Sequence, residues 1–161
     1  MEEKTFTVSE AHLHFAAYFH SRTWELLEKP DRTRDEDERM VDYAQSSLAH
    51  WRTAGTVVHH QRGEWLLARV FAVLGKSQLT LWHANRCAEI LQANAGEMAD
   101  FDFAFAFEAL ARAHAVAGER VEAGQFLQKA REAGEKIAET DDREIFFAEL
   151  RGGPWNGFDV P

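Results

Sequence analysis

The chain has 161 residues, with 18 Lys and Arg against 27 Asp and Glu, and a formal net charge of -9. That length fits one domain able to bury about 70% of its open-chain surface, and the acidic balance excludes general nucleic-acid binding, which needs clustered cations to displace counterions from phosphate. One cysteine excludes an internal disulfide or a zinc knuckle, and neither a leader-like start (MEEKTF) nor a run of 18 apolar residues is present, so the expectation is a reducing, cytoplasmic setting with no membrane span.

Alanine occurs 25 times, whereas Val and Ile together occur 12 times, a choice that favours helix and starves a sheet of β-branched side chains. The chain punctuates accordingly. Thr7 with Glu10 has capping-box spacing ahead of an apolar stretch, predicting a first helix from Ala11 or earlier to about Glu28, stopped by Pro30. The charged segment 29–37 connects it to a second helix that starts from the pair Thr33 and Glu36, runs to about Thr53 and stops at Gly55. A third helix is expected from about His59 to Leu74, broken by Gly75, and a fourth is capped by Ser77 and ends at Asn94-Ala95-Gly96. Asp100 or Asp102 starts the fifth, which reaches Gly118; a sixth covers about Arg120 to Glu139. Asp141 with Glu144 suggests a short seventh to Leu150, before Gly152-Gly153-Pro154 releases an extended tail over 155–161.

An internal repeat runs through the middle of the chain. Residues 67–75, LARVFAVLG, align without gaps on 110–118, LARAHAVAG, at an offset of 43 with six of nine positions identical. The shared terminal glycine and the paired Arg69 and Arg112 weigh more than the alanines. Each unit is then a helical hairpin with small residues at close approaches.

These residues resemble the tetratricopeptide repeat in its longer form. Phe107, Leu110, Ala111 and His114 stand at the family's large, large, small and aromatic positions, Gly118 at its turn, and Ala123, Leu127 and Ala130 at its small, large, small positions. Leu67, Ala68, Phe71 and Gly75 fit in the preceding unit, where Glu64, Thr80, Ala84 and Cys87 fit partly. Ala44, Leu48 and Trp51 mark a degenerate earlier hairpin. The whole chain also resembles a set of small bacterial helical proteins, a likeness that implies no activity. The resemblance implies a single all-α domain over 1–161, a right-handed superhelix of three hairpins (7–53, 59–95 and 100–139) closed by a capping helix over 141–150 and a tail over 151–161.

In such arrays the first helices of successive hairpins line a concave groove, and the resemblance places Arg62, Trp65, Arg69, Phe105, Glu108 and Arg112 there. Guanidinium forks match carboxylate oxygens bidentately and a tryptophan offers an apolar platform, so the groove suits a carboxylate or an acidic peptide. The family's carboxylate clamp, which mixes Lys and Asn at these places, is not matched. Against a ligand role stands an internal network, because Glu108 precedes Arg112 by four residues and can face Arg69. The function expected is that of a non-catalytic binding or scaffold protein with a protein or peptide partner and no cofactor. Its terminal repeats expose apolar edges, which makes homo-oligomerisation an expectation, and the tail from Trp155 onward is itself a groove ligand to consider.

A metal-binding, small-molecule-binding or enzymatic alternative rests on His50, His83 or His114 with Glu64 or Glu108. The spacing does not favour a metal. His12 and His14 diverge by about 200° on a helix, His59 and His60 are adjacent, no HExxH occurs, and a packed or surface position is the better reading of each histidine. Cys87 falls at a small packing position, as expected of an inert thiol. Phe101 and Phe105 share one helical face and Phe103 and Phe107 another, predicting a helix packed on more than one side.

Overall fold

A computed structural model describes residues 5–160, and among these every regular element is helical: α1 (Val8–Leu27), α2 (Arg34–Ala54), α3 (Val57–Val73), α4 (Ser77–Ala93), α5 (Asp100–Ala117), α6 (Arg120–Glu135) and α7 (Thr140–Arg151), with a 3-10 turn over Ala95–Glu97 between α4 and α5. No helix of the described residues is long and apolar enough to cross a membrane. The first two capping boxes form as the spacing predicts: Glu10 N–H donates to Thr7 Oγ1 and Thr7 N–H to Glu10, and Thr33 and Glu36 repeat the exchange. Each box satisfies two donors that a helix start otherwise leaves orphaned.

The ends of α2 and α4 and both ends of α5 also fall where the sequence places them, while other boundaries depart from the pattern for identifiable reasons. α3 starts two residues early because Thr56 N–H donates to His59 Nδ1, an imidazole standing in for the usual carboxylate. Ser77 is the first residue of α4 and makes no cap bond, and the Asp141 and Glu144 pair does not form a box. α6 ends at Glu135, four residues before the expected Glu139, because Ile137 turns into the core and Asp100 accepts Ala138 N–H at 2.8 Å. Gly75 and Gly118 take the left-handed conformation at φ 67° and 79°, where a Cβ would be strained.

Successive helices lie antiparallel. Ser47 on α2 donates to the Ala16 carbonyl on α1, Gln61 on α3 reaches Cys87 on α4, and His114 on α5 stacks on Phe126 of α6. α3 and α5 are also neighbours, and they run parallel: Arg62 meets Asp102, Trp65 meets Phe105 and Glu108, and Arg69 reaches Glu108, so both chains advance together. Small residues permit this approach. Ala68, Ala84, Ala109 and Ala113 fill the α3, α4 and α5 interface, and Ala104, Ala111, Ala123 and Ala130 the interface of α5 with α6.

A separate cluster of Met40, Ala44, Leu48, Leu67, Val70 and Phe71 joins the first hairpin to α3. At the other end α7 and the tail close the last hairpin. Phe146 is fully buried, Trp155 is buried, and Phe158 rests against Gly124 on α6. The outward face of α1 is open, with Val8, Phe15 and Tyr18 exposed.

The closest approach in the closing cap is Gly134 of α6, where an added Cβ would come within 2.6 Å of Phe146 Cδ1. Gly134→Ala is therefore expected to destabilise the fold by about 1–3 kcal/mol, read by chemical denaturation, despite alanine's better helix propensity. A neutral or stabilising change would show that α7 does not seat there.

Candidate functional site

The six residues expected to line a groove lie together on α3 and α5, where Trp65, Arg69 and Arg112 converge on the carboxylate of Glu108. Glu108 is 1% exposed. Its Oε2 accepts Trp65 Nε1–H at 2.9 Å, and its Oε1 accepts Arg112 Nε–H at 2.6 Å. Arg69 Nη1 lies 3.6 Å from the same Oε1, an ion pair too long for a hydrogen bond. An isolated buried charge is costly, and each cation here lowers that cost for the other side of the pair. Burial pulls the Arg112 guanidinium below its usual value, while the Glu108 carboxylate opposes that shift.

The remaining Arg112 donors are directed to the end of the chain. Nη1 donates to the carbonyls of Gly152 and Pro154 at 3.0 and 3.1 Å, and Nη2 to that of Glu149 at 3.2 Å. The guanidinium also lies 4.2 Å from the centre of the Trp155 ring, within cation–π range. Arg69 is held by Glu149 through Nη2 at 3.3 Å, and Gly153 packs on its guanidinium so closely that a Cβ there would lie 2.6 Å from Cζ. With φ at 71°, Gly153 is also left-handed, so the tail's route over Arg69 needs glycine twice over.

The row of equivalent arginines expected from the repeat is present, and the chain itself uses it. Arg112 stitches α5 to α7 and the tail, and Arg69 stitches α3 to them. Trp155 covers Arg112, and residues 152–154 lie across Arg69 and Arg112; the tail then departs toward α6, where Phe158 meets Arg120.

The rest of the row is open. Arg62 is exposed and forms a bidentate pair with buried Asp102, at 2.8 and 3.0 Å, with its guanidinium 4.8 Å from the Phe101 ring centre. Trp65 is half-buried between Trp24 of α1, at 6.0 Å between ring centres, and Phe105, at 5.2 Å edge-on. Trp24 Nε1–H donates to His20 Nε2 at 3.1 Å, which fixes that imidazole as an acceptor, and burial lowers its pKa. His20, Trp24, Trp65, Phe105 and Phe146 thus form one aromatic line across α1, α3, α5 and α7.

Sequence reasoning missed Asp102, Trp24, Glu149 and Gly153 as members of this site. Asp102 reads in the sequence only as a helix start, and its pairing with Arg62 does not follow the repeat, since it lies 40 residues on and not 43. Trp24 carried no signal, because its contact with Trp65 crosses elements with no common period.

The histidines do not converge. His50 Nδ1 bonds His12 Nδ1 at 2.8 Å, His83 Nδ1 donates to buried Glu64 at 2.7 Å, and His114 pairs with Glu119 beside Phe126. Among the described residues no three His, Cys, Asp or Glu side chains gather where one metal ion could sit. Cys87 is fully buried, and that burial raises its thiol pKa, leaving it an unreactive packing group. Phe103 and Phe107 line a cleft between α4 and α6 while Phe101 and Phe105 face α3 and α7, the division the helical spacing predicts.

No family model, curated protein or solved structure matches this chain.

Glu108→Gln keeps the shape of the hub and removes its charge, leaving the buried Arg112 guanidinium without its counter-charge and Arg69 with Glu149 alone. A loss of about 3–5 kcal/mol is expected in denaturant titrations; a change below about 0.5 kcal/mol, typical of a surface position, would refute the role of this carboxylate.

Proposed function

We propose that this protein is a non-catalytic binding or scaffold module, a tetratricopeptide-like right-handed superhelix whose concave side receives a segment of a partner protein. The observation that supports this reading most strongly is the parallel pairing of α3 with α5. It sets Arg62, Trp65 and Phe105 in one row, and Trp24 of α1 extends that row to the preceding hairpin. Parallel leading helices with their polar and aromatic residues on a common face are what a repeat groove requires.

Within the proposal the six residues divide by role. Glu108, Arg69 and Arg112 form a rigid floor, since their charges are neutralised within the chain. Trp65 and Phe105 supply the apolar contact and Arg62 the cation. Half-buried aromatic side chains flanked by arginine are typical anchors for an extended peptide. The side chain of Arg62 is 44% exposed, so it retains donors for a carboxylate while Asp102 holds it in place. An acidic partner segment therefore fits this row better than a basic one. Self-association is the second part of the proposal, through the exposed apolar face of α1 at Val8, Phe15 and Tyr18.

An array of short acidic peptides probed with the full chain tests the groove. The wild-type protein is expected to retain a subset of spots, and Trp65→Ala and Arg62→Ala to weaken each by about tenfold, in line with loss of a central anchor. No retained spot, or retention equal in both variants, would remove the proposal.

A further inference from the structure

A second site, independent of the groove, lies on the other side of α3. Glu64 is 1% exposed, and both its oxygens are occupied: Oε1 accepts Arg52 Nη2–H from α2 at 2.5 Å, and Oε2 accepts His83 Nδ1–H from α4 at 2.7 Å. A carboxylate accepts only, so the proton of this bond belongs to His83 Nδ1. In the neutral ring Nε2 is then the bare acceptor, and it makes no hydrogen bond among the described residues. The imidazole is also fixed in plane, stacked on Phe71 at 5.4 Å and 10°. Carboxylate and stack together orient one nitrogen, as an orienting group does for a binding or proton-transferring histidine.

That histidine lines an open cleft of about 440 Å³ between α2 and α4. Arg52 and Gln45 form one wall, Trp82 and Arg86 the other, and Leu67 is on the floor. The two arginine side chains are 56% and 52% exposed. Each spends one donor on a carboxylate, Arg52 on Glu64 and Arg86 on Glu89 at 3.0 Å. Trp82 is 71% exposed, a large aromatic surface left bare beside two cations. The cleft thus offers hydrogen-bond donors and a stacking face on a protein of net charge -9. An ion pair needed only to join α2 to α4 would not require the oriented imidazole, the second arginine or the bare ring.

We propose that this cleft binds a small anion carried on a planar ring, the ring stacking on Trp82, the phosphoryl or carboxylate group held by Arg52 and Arg86, and a donor group of the ligand meeting His83 Nε2. Guanidinium forks match either oxyanion, and stacking on tryptophan tolerates many ring types. The site uses no residue of the groove, so either proposal can fail alone.

Calorimetric titration of the full chain tests it, with adenosine monophosphate as the planar phosphate, indole-3-acetate as the planar carboxylate, and adenosine and inorganic phosphate as the separate halves. Saturable one-to-one binding of at least one planar anion is expected, at least about tenfold tighter than either half. Binding of the first alone assigns a phosphoryl ligand, and of the second alone a carboxylate. Trp82→Ala and Arg86→Gln change exposed side chains that the fold does not rely on, and each is expected to weaken that binding at least about tenfold. No saturable heat from either planar anion at low millimolar concentration, or affinity unchanged in both variants, would overturn the assignment.

Discussion

Two arginines and a tryptophan from parallel helices converge on one carboxylate in the dry centre of the molecule. Glu108 could not be buried alone, since desolvating a single carboxylate costs several kcal/mol, and neither could Arg112, which is 1% exposed. Each is tolerated because the other is present. Arg69 and the half-buried Glu149 bring the cluster to formal neutrality. The constraint this imposes is geometric. α3 and α5 must lie side by side in a single register for Trp65 and Arg69 to reach the same residue of α5.

Three other features depend on that register. Alanines at 68, 109 and 113 let the backbones come close enough, whereas larger side chains would hold the helices apart and lengthen the contacts of Trp65 and Arg69 with Glu108. The same register brings Trp65 against Phe105 and Arg62 against Asp102, which creates the open aromatic row. Arg112 also has donors left over, which the Glu149 carbonyl of α7 and, beyond that helix, the carbonyls of Gly152 and Pro154 and the Trp155 ring take up. The closing tail is thus a consequence of the buried charge as well as a cover for the last hairpin.

Much of this was legible in the sequence, to the extent that local chemistry decides local structure. Thr7, Thr33 and Gly118 mark helix ends because capping and left-handed turns depend on a few adjacent residues. The offset of 43 between Arg69 and Arg112 placed both in equivalent positions of parallel helices. What failed was decided by tertiary contact. Ser77 looked like a cap, yet α4 begins at it. α6 looked longer, but Ile137 gains more by entering the core than by extending the helix. The arginines were readable both as ligand hooks and as partners of Glu108, and the tail as an occupant of the same face; that residues 152–154 would supply carbonyls to Arg112 depended on where α7 ends. Glu64 and His83 were candidates by residue type, and the stack on Phe71 and the cleft beside Trp82 emerged only when α2, α3 and α4 were assembled.

The aromatic row and the closing cap therefore share one origin, the carboxylate of Glu108 between α3 and α5. A double-mutant cycle on Arg69→Met and Arg112→Met, with unfolding free energies from denaturant titration, addresses it most directly. Since both cations serve Glu108, losing the second after the first must cost a different amount than losing it alone. The account predicts a coupling of at least about 1 kcal/mol, within the range found for groups in one charged network. Effects that add to within about 0.3 kcal/mol, as for independent distant sites, would contradict it.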